Sequence, residues 1–339
     1  MNQTMKQWSQ REDLQVLSLV GISKNAGKTT FLNGLGKAWS AESVGVFSIG
    51  VDGEAQDVWS GRSKPEVRVY KGWIVATSGI CLQNEADAWE IIEALPIDSV
   101  AGRVYLARAN CDTSVKLTGV PTRQWASLCI ERLKQCGCAK VIVDGAYNRK
   151  VMASPVWSDG FVLVVGASFS PSLSLLVKEV KGWMAKLLLP SPAADDIELY
   201  QSFYRREVCA LQIGERWISF SSHEWIQSQG SHISAEDLKQ ATKLYFHGAL
   251  TKRVLEQLRS SGFTGELTIP DWTYLFDFLV RGSRIQVLFP SNLLAVGINS
   301  TSPDGWQVNP EEFQAQIQQV VGDIPVWDVY REEWISDVS

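Results

Sequence analysis

The sequence predicts an α/β fold, with a doubly wound and mostly parallel sheet and a second, smaller α/β region. Three observations support this prediction. Short runs of leucine and β-branched residues alternate with amphipathic helical stretches, and a glycine-rich turn joins the first run to the first helix. The composition of the 339 residues is 45% hydrophobic and 20% charged. Alternating strands and helices favour parallel strands with crossover helices, and this length and composition can bury the core of about two domains.

The first predicted elements form a β–α–β unit. Val16–Val20 is a short apolar strand that ends at Gly21, and a polar loop follows it. The helix that starts at Lys28 has one buried face, because apolar residues recur at helical spacing along it up to Trp39. Val44–Gly50 is a second apolar strand, so the unit predicts a parallel pair of strands with a right-handed crossover.

Further elements continue the alternation up to a linker at Pro190–Asp196, which contains proline and aspartate. Before the linker we predict strands at Trp73–Thr77, Arg103–Ala107, Lys140–Val143 and Gly160–Val165, and helices at Trp125–Gln135 and Leu173–Leu188. After it we predict a hairpin of Val208–Ile213 with Trp217–Phe220, strands at Lys243–Phe246, Glu266–Ile269, Ile285–Phe289, Leu293–Ile298 and Val326–Val329, and helices at Ala249–Ser260 and Pro310–Val321. The predicted domains are therefore residues 14–190 and a C-terminal α/β region over residues 197–339, which could be a separate domain or an extension of the first sheet.

The segment Gly21–Thr30 carries the most informative functional signal. A glycine-rich turn between a strand and a helix directs successive backbone N–H groups inward, where they bind phosphate together with the helix N-terminus. Lys28 can reach the β- and γ-phosphates, and the hydroxyl of Thr29 can ligate Mg²⁺. Gly21 and Gly27 are separated by five residues, one more than in the common motif. The predicted nucleotide-contacting residues are Gly21, Lys24, Asn25, Ala26, Gly27, Lys28, Thr29 and Thr30.

Two aspartates at predicted strand ends support this site. Asp52 follows the second strand, and Asp144 ends the strand that starts at Lys140. In a parallel sheet both carboxylates emerge at the carboxyl edge, where the loop also lies. Since Mg²⁺ prefers hard oxygen ligands, we predict that Asp144 and Asp52 join Thr29 as metal ligands, with Asp52 alternatively polarising the attacking water. Lys28, Asp52 and Asp144 are the predicted catalytic residues.

Nearby polar residues extend the prediction. Lys24 could add charge to the γ-phosphate, in its own subunit or across a homodimer. The polar stretch from Asp52 to Pro65 could order on nucleotide binding, as switch loops do, or be a solvated connection. Arg149 could sense phosphate or substrate. No Asn-Lys-x-Asp guanine-reading motif is present, so ATP is preferred over GTP.

The loop Gly-x5-Gly-Lys-Thr, the early Asp52 and the strand ending Asp144-Gly-Ala resemble one class of P-loop NTPase. That class includes dethiobiotin synthetase, the cobyrinic-acid amide synthases and the ParA/MinD ATPases. The resemblance covers about residues 14–190 and implies a P-loop nucleotide-binding domain that uses ATP and Mg²⁺. The signature lysine of ParA/MinD ATPases falls on Ser23 here, with Lys24 one residue later.

A second resemblance covers most of the chain. Ser23-Lys-Asn-Ala-Gly-Lys-Thr-Thr30, Val51-Asp-Gly-Glu54, Asp144-Gly-Ala-Tyr-Asn-Arg149 and Val296-Gly-Ile-Asn-Ser-Thr-Ser-Pro303 are similar to a bacterial family described as a lysine aminomutase reactivase subunit. That resemblance implies an ATP-driven remodelling factor. Such a factor would act with a second reactivase subunit or on the aminomutase itself, to exchange a damaged cobalamin.

Charge, hydropathy and cysteine usage narrow the classes of function and of cellular location that fit the sequence. The formal net charge is −5, which disfavours non-specific nucleic-acid binding. No apolar run reaches the about 20 residues that span a bilayer, and residues 1–13 are polar, so we expect a cytoplasmic protein with no membrane partner. The six cysteines are scattered and are expected to be reduced thiols.

Three functions fit these observations. The first is an ATP-hydrolysing switch or remodelling factor that acts on a protein partner, with the C-terminal region carrying the partner surface. The second is an ATP-dependent ligase of the dethiobiotin synthetase type that activates a small carboxylate. The third is a non-catalytic nucleotide-binding module.

Overall fold

The structure is a computed structural model that describes residues 2–50, 66–145, 153–222, 233–275 and 284–330. The chain forms two compact units. The first comprises Met1–Ala153, Trp157–Val180 and Asn292–Ser339, and the second Ser154–Val156 and Lys181–Ser291.

The described strands and helices are numbered along the chain. The strands are β1 (Val16–Gly21), β2 (Val44–Ile49), β3 (Val67–Val69), β4 (Ile74–Ser78), β5 (Trp89–Ser99), β6 (Gly102–Ala109), β7 (Thr113–Val115), β8 (Gly119–Val120), β9 (Lys140–Gly145), β10 (Gly160–Gly166), β11 (Cys209–Ile213), β12 (Arg216–Phe220), β13 (Lys243–Tyr245), β14 (Glu266–Ile269), β15 (Ile285–Val287), β16 (Leu293–Asn299) and β17 (Val326–Asp328). The helices are α1 (Asn2–Ser9), α2 (Lys28–Ala38), α3 (Gly79–Leu82), α4 (Arg123–Gln135), α5 (Leu173–Leu187), α6 (Ala194–Arg205), α7 (Ala235–Gln240), α8 (Lys252–Ser260) and α9 (Pro310–Val321).

One large sheet forms the centre of the first unit. Its strand order among the described residues is β17-β16-β10-β1-β9-β2-β4-β6-β5, with β8 paired to β2. The strands from β17 to β4 are parallel to their neighbours, and β6 and β5 are antiparallel. The sheet is therefore mixed and mostly parallel, which confirms the predicted α/β class.

Helices cover both faces of this sheet, and their apolar residues explain why. On one face, Phe31, Leu32 and Leu35 of α2 are completely buried. Met5 and Trp8 of α1 belong to the same apolar core. The spacing of the α2 residues places them on one side of the helix. The opposite face packs against α4, whose buried residues are Ala126, Cys129 and Leu133. Each fully buried Leu or Phe contributes about 1.5–3 kcal/mol of transfer free energy, so both layers are firmly held.

The antiparallel hairpin of β5 and β6 was not part of the sequence prediction, which placed one strand at Arg103–Ala107. The β5 strand lies at the edge of the sheet and contains Pro96. Proline cannot donate a backbone hydrogen bond, so an edge position is the one that tolerates it. This hairpin makes the sheet mixed.

The last described strands return to the first sheet. β16 pairs in parallel with β10, and β17 pairs in parallel with β16. The sequence left open whether residues 197–339 form a separate domain or extend the first sheet, and the part from Asn292 to Tyr330 extends it. The physical reason is that an apolar strand such as Leu293–Asn299 buries both of its faces best inside a parallel sheet.

The other predicted boundary also differs. The chain passes from the first unit to the second between Val180 and Lys181, inside α5, and α6 begins within the predicted linker at Pro190–Asp196. The proline and aspartate residues of the linker therefore precede or start a helix. Asp195 and Asp196 lie in the first turn of α6, where negative charge is favourable.

The second unit has its own sheet, with strand order β12-β11-β13-β14-β15. The predicted hairpin is confirmed as the antiparallel pair β11 and β12, and β13, β14 and β15 run parallel to one another. Helix α8 connects β13 to β14 and buries Val254, Leu255 and Leu258 in a separate apolar core.

Two general properties of the chain follow from the described residues. None of the six cysteines, all of which lie in the described ranges, forms a disulfide. Burial raises the pKa of Cys129 and Cys138 to about 12, so both are thiols at neutral pH. In the same ranges, every helix is too short or too polar to cross a membrane.

Candidate functional site

The segment Gly21–Thr30 forms the connection between β1 and α2, as the sequence predicts. Two of its residues have positive φ angles, 59° at Asn25 and 105° at Gly27. Asparagine tolerates this left-handed conformation better than most residues, and glycine adopts it without strain. The backbone therefore curls into a compact turn before the helix starts, and Phe31 N donates to Gly27 O at 3.0 Å.

The N-terminus of α2 has no side-chain cap, since Gly27 occupies the cap position. The first N–H groups of a helix have no partner within the helix and carry partial positive charge. A helix of 11 residues that starts on a glycine thus presents these donors at the carboxyl edge of the sheet. This arrangement is suited to binding an anion.

Lys28 folds back over the loop. A Cβ atom added to Gly21 would lie 3.0 Å from Lys28 Nζ and 3.3 Å from its Cδ, and 3.1 Å from Ser23 O. The lysine side chain therefore occupies the space that the missing side chain of Gly21 leaves. This places the ammonium group beside the backbone of the turn, and it explains why position 21 is glycine.

Two strands on the same side of β1 in the sheet, β10 and β16, end against the loop. Gly166, the last residue of β10, lies so close to the turn that an added Cβ would be 2.6 Å from Ala26 Cα. A Cβ on Gly27 would lie 3.2 Å from Asn299 Cβ, at the end of β16. The hydroxyls of Ser23 and Ser168 are 2.8 Å apart. The position of the loop is thus fixed by tertiary contacts.

Asp144 lies near the carboxyl end of β9 and is only 5% exposed. Its register partner on the adjacent strand β1 is Leu19, which packs in the core beneath α2. Ile142, two residues earlier on the strand, lies in that same core. Since alternate residues of a strand share a face, the Asp144 side chain is on the face that carries α2. A buried carboxylate on this face, one strand away from the loop, matches the predicted position.

The other predicted residues have different surroundings. Lys24 and Asn25 are exposed, Ala26 is buried, and Thr29 and Thr30 are half-buried in the first turn of α2. Asp52, the stretch up to Pro65 and Arg149 lie outside the described residues. In the described ranges there is no group of three or more His, Cys, Asp or Glu side chains able to hold a metal ion. Mg²⁺ commonly uses only one or two protein ligands together with phosphate and water, so Thr29 and Asp144 remain chemically suitable.

The structure adds residues that the sequence analysis did not include among the site residues. Gly166 and Asn299 lie against the loop, and Asp328 ends β17 beside β16. Asn299 and Asp328 are each 3% exposed, and Asp328 Oδ2 has no hydrogen-bond partner among the described residues. A glycine at the end of a buried strand is a signal of close backbone approach, so Gly166 could have been found from the sequence. Asn299 and Asp328 could not, because their strand order is a tertiary property.

Comparison with family models, with curated proteins and with solved structures gives no match. The fold and the site define an α/β protein with a glycine-rich loop between a parallel strand and an uncapped helix.

Proposed function

We propose that the protein is a Mg²⁺-dependent, ATP-binding and ATP-hydrolysing P-loop protein that acts as a switch or remodelling factor on a protein partner. The position of Lys28 carries this proposal. Its ammonium group lies within the turn at Gly21, next to the uncapped start of α2. A cation and several N–H donors converge there, as binding of a polyphosphate requires.

Electrostatics support a local phosphate site. The chain as a whole carries a formal charge of −5, so its overall field slightly repels ATP. Attraction must therefore come from nearby groups, namely Lys24, Lys28 and the helix N-terminus. A site built from such groups selects phosphates by short-range contacts and does not attract polyanions in general.

The roles of the residues follow from their placement. Lys28 would contact the β- and γ-phosphates, and Thr29 and Asp144 would hold Mg²⁺ directly or through water. When bound, Mg²⁺ neutralises phosphate charge. Asp144 would also hold a water molecule at the buried edge of the sheet. Asn299, whose Cβ would lie 3.2 Å from a Cβ added to Gly27, would be close to a bound nucleotide.

The link from the loop to the surface favours a switch over a ligase. Ser23 contacts Ser168, and the next residue, Phe169, is 41% exposed although it is large and apolar. A change of the Ser23–Ser168 contact on hydrolysis would therefore reach an exposed apolar side chain one residue away. The resemblance to aminomutase reactivase subunits provides one specific form of this proposal, with an aminomutase or a second subunit as the partner.

The test compares wild type with Lys28→Ala and with the matched control Lys37→Ala. Both changes remove one lysine from α2, but Lys37 is exposed in its last turn. We expect Lys28→Ala to lose MgATP binding and turnover and Lys37→Ala to keep both, measured by calorimetry and phosphate release. Equal behaviour of the two variants would overturn the assignment of Lys28.

A second measurement separates the three functions. The wild type is used to capture partners from native lysate with ATP, with ADP and without nucleotide. A partner whose capture depends on ATP supports the switch. Turnover that requires an added small carboxylate supports the ligase instead, and binding without any turnover supports the non-catalytic module.

A further inference from the structure

The chain that follows β16 folds back on itself, and the proposed function assigns no role to this segment. An antiparallel bridge joins Thr301 to Gln307. Val308 N donates to Ser300 O at 2.9 Å. We call residues Ser300–Val308 the return turn. Its first and last residues are both buried, so the return turn is anchored at the carboxyl edge of the sheet.

Trp306 connects the return turn to the end of β10. Its Nε1 donates to the carbonyl oxygen of Ala167 at 2.8 Å. The same oxygen also accepts from Ser170 N at 3.1 Å. The indole is half-buried. Because an indole has a single N–H donor, this bond ties the side chain to the segment that follows β10.

Ala167 lies between the two residues of this segment that contact the candidate phosphate loop. A Cβ added to Gly166 would lie 2.6 Å from Ala26 Cα, and the hydroxyls of Ser168 and Ser23 are 2.8 Å apart. The indole bond is therefore one residue away from each contact. Since planar peptide units join the three residues, a shift of Ala167 would displace both of its neighbours.

The return turn reaches the loop by a second route, through Asn299. Asn299 Oδ1 accepts from Thr301 N at 3.0 Å and from Thr301 Oγ1 at 2.9 Å. These bonds orient the amide group, whose Nδ2 would lie 3.3 Å from a Cβ added to Gly27. The loop thus meets, at Gly27 and at Ala26, groups whose positions depend on the return turn.

We infer that Trp306 is a positioning residue for phosphate binding, an inference that rests on the proposed function of the loop. Trp306 acts through Ala167 and keeps Gly166 and Ser168 where they contact the loop, without touching the nucleotide. A loop that adopts its binding conformation in a smaller fraction of molecules has a proportionally weaker apparent affinity. The indole bond therefore raises the affinity for the phosphates and does not discriminate between bases.

The test measures binding of MgATP and of magnesium tripolyphosphate to the full chain by calorimetry. Trp306→Phe keeps an aromatic ring and removes the N–H. One neutral hydrogen bond changes an equilibrium about two- to tenfold, so we expect MgATP binding to weaken by that factor. Tripolyphosphate carries the phosphates alone, and its binding should weaken equally. Circular dichroism checks folding, and Trp306→Tyr is a second variant with the same expected result.

Trp39→Phe is the matched control. Trp39 Nε1 also donates to a backbone oxygen, that of Met5, at 2.7 Å, and the side chain is completely buried. Trp39 lies at the C-terminal end of α2, whereas the loop precedes the N-terminal end. We expect Trp39→Phe to lower the thermal unfolding temperature at least as much as Trp306→Phe and to leave both affinities unchanged. A tryptophan with a merely structural role would change the unfolding temperature alone.

A double variant tests the route from Trp306 to the loop. Ser168→Ala removes the hydroxyl that contacts Ser23. Trp306→Phe should weaken MgATP binding by a smaller factor in the Ser168→Ala background than in wild type, because both changes act on the same segment. Equal factors in the two backgrounds would overturn the route through Ala167.

Three further outcomes would overturn the inference. They are unchanged affinity for both ligands in the folded Trp306 variants, an equal loss of affinity in Trp39→Phe, and a loss for MgATP with none for tripolyphosphate. The last outcome would show that the indole contacts the base or the sugar. Wild type that binds neither ligand would overturn the proposed function together with this inference. Wild type that binds both ligands, with unchanged affinities in the Trp306 variants, would overturn this inference alone, so the two failures are distinguishable.

Discussion

Replacement of Gly166 by alanine tests whether tertiary contacts position the loop that holds Lys28. The side chain added at this position would point at the backbone of Ala26. It would lie 2.6 Å from Ala26 Cα, 2.9 Å from its carbonyl oxygen and 3.0 Å from its carbonyl carbon. All three contacts are to main-chain atoms, so no rotation of a side chain can relieve them.

The size of the effect follows from these distances. Carbon atoms in contact are normally about 3.5–4.0 Å apart, so the loop and the end of β10 must separate by about 1 Å. Overpacking of this kind costs about 1–3 kcal/mol of folding free energy. A displacement of about 1 Å at a catalytic site can lower the rate about 100-fold. The variant should therefore fold with reduced stability and lose most of the proposed MgATP turnover.

The assay compares MgATP turnover and urea unfolding for wild type, Gly166→Ala and Gly182→Ala. The control adds the same methyl group in α5, where nothing lies within 4 Å of the new atom. We expect Gly182→Ala to keep wild-type turnover and to gain up to about 1 kcal/mol of stability, since alanine is the better helix former. Wild-type turnover and nucleotide affinity in Gly166→Ala would refute the reasoning.

Three further predictions address other parts of the chain. Gly21→Ala should displace the Lys28 side chain, because its Nζ would be 3.0 Å from the new Cβ. MgATP binding should weaken about tenfold, which is the value of one charge-assisted contact. An unchanged affinity by calorimetry would count against this prediction. Lys140→Met should lower the free energy of unfolding in urea by about 2–4 kcal/mol. Lys140 is 5% exposed and its Nζ donates to two backbone carbonyls at 2.6 and 2.8 Å, which would lose their partner. A loss below about 1 kcal/mol would contradict this prediction. Burial lowers the pKa of His247 from its ordinary value of 6.5, so the folded state disfavours the charged imidazole. The folded protein therefore keeps its full stability above that pH and loses stability as the pH falls through the folded-state pKa. Wild type should therefore lose more stability than His247→Gln between about pH 7.5 and about pH 5. If the free energy of unfolding changes equally with pH in the two proteins, the prediction is contradicted.

The local parts of the candidate site could be predicted from the sequence. Gly21, Gly27 and Lys28 are close in the chain, and the strand before them and the helix after them have their own hydrophobic patterns. A turn between such elements needs few contacts from elsewhere to form. The position of Asp144 could also be predicted, since it ends an apolar run and the carboxyl ends of parallel strands share an edge.

The surroundings of the loop could not be predicted in this way. Gly166 lies 140 positions after Ala26 in the chain, and Asn299 is farther still from Gly27. The local sequence pattern of Leu293–Asn299 does not determine which strand it pairs with. The sequence analysis therefore left open whether residues 197–339 form a separate domain or extend the first sheet, because the partner of an apolar strand is chosen by the burial available across the whole sheet.

The sequence by itself determined the α/β class, most of the strands and helices, and the loop with its lysine, because these depend on hydrophobic period and turn chemistry over a few residues. Only the tertiary structure decided that β16 and β17 rejoin the first sheet and that the edge hairpin makes this sheet mixed. It also decided that Gly166 and Asn299 lie against the loop. Those features depend on contacts between residues far apart in the chain, whose free energy is gained only when the whole sheet assembles.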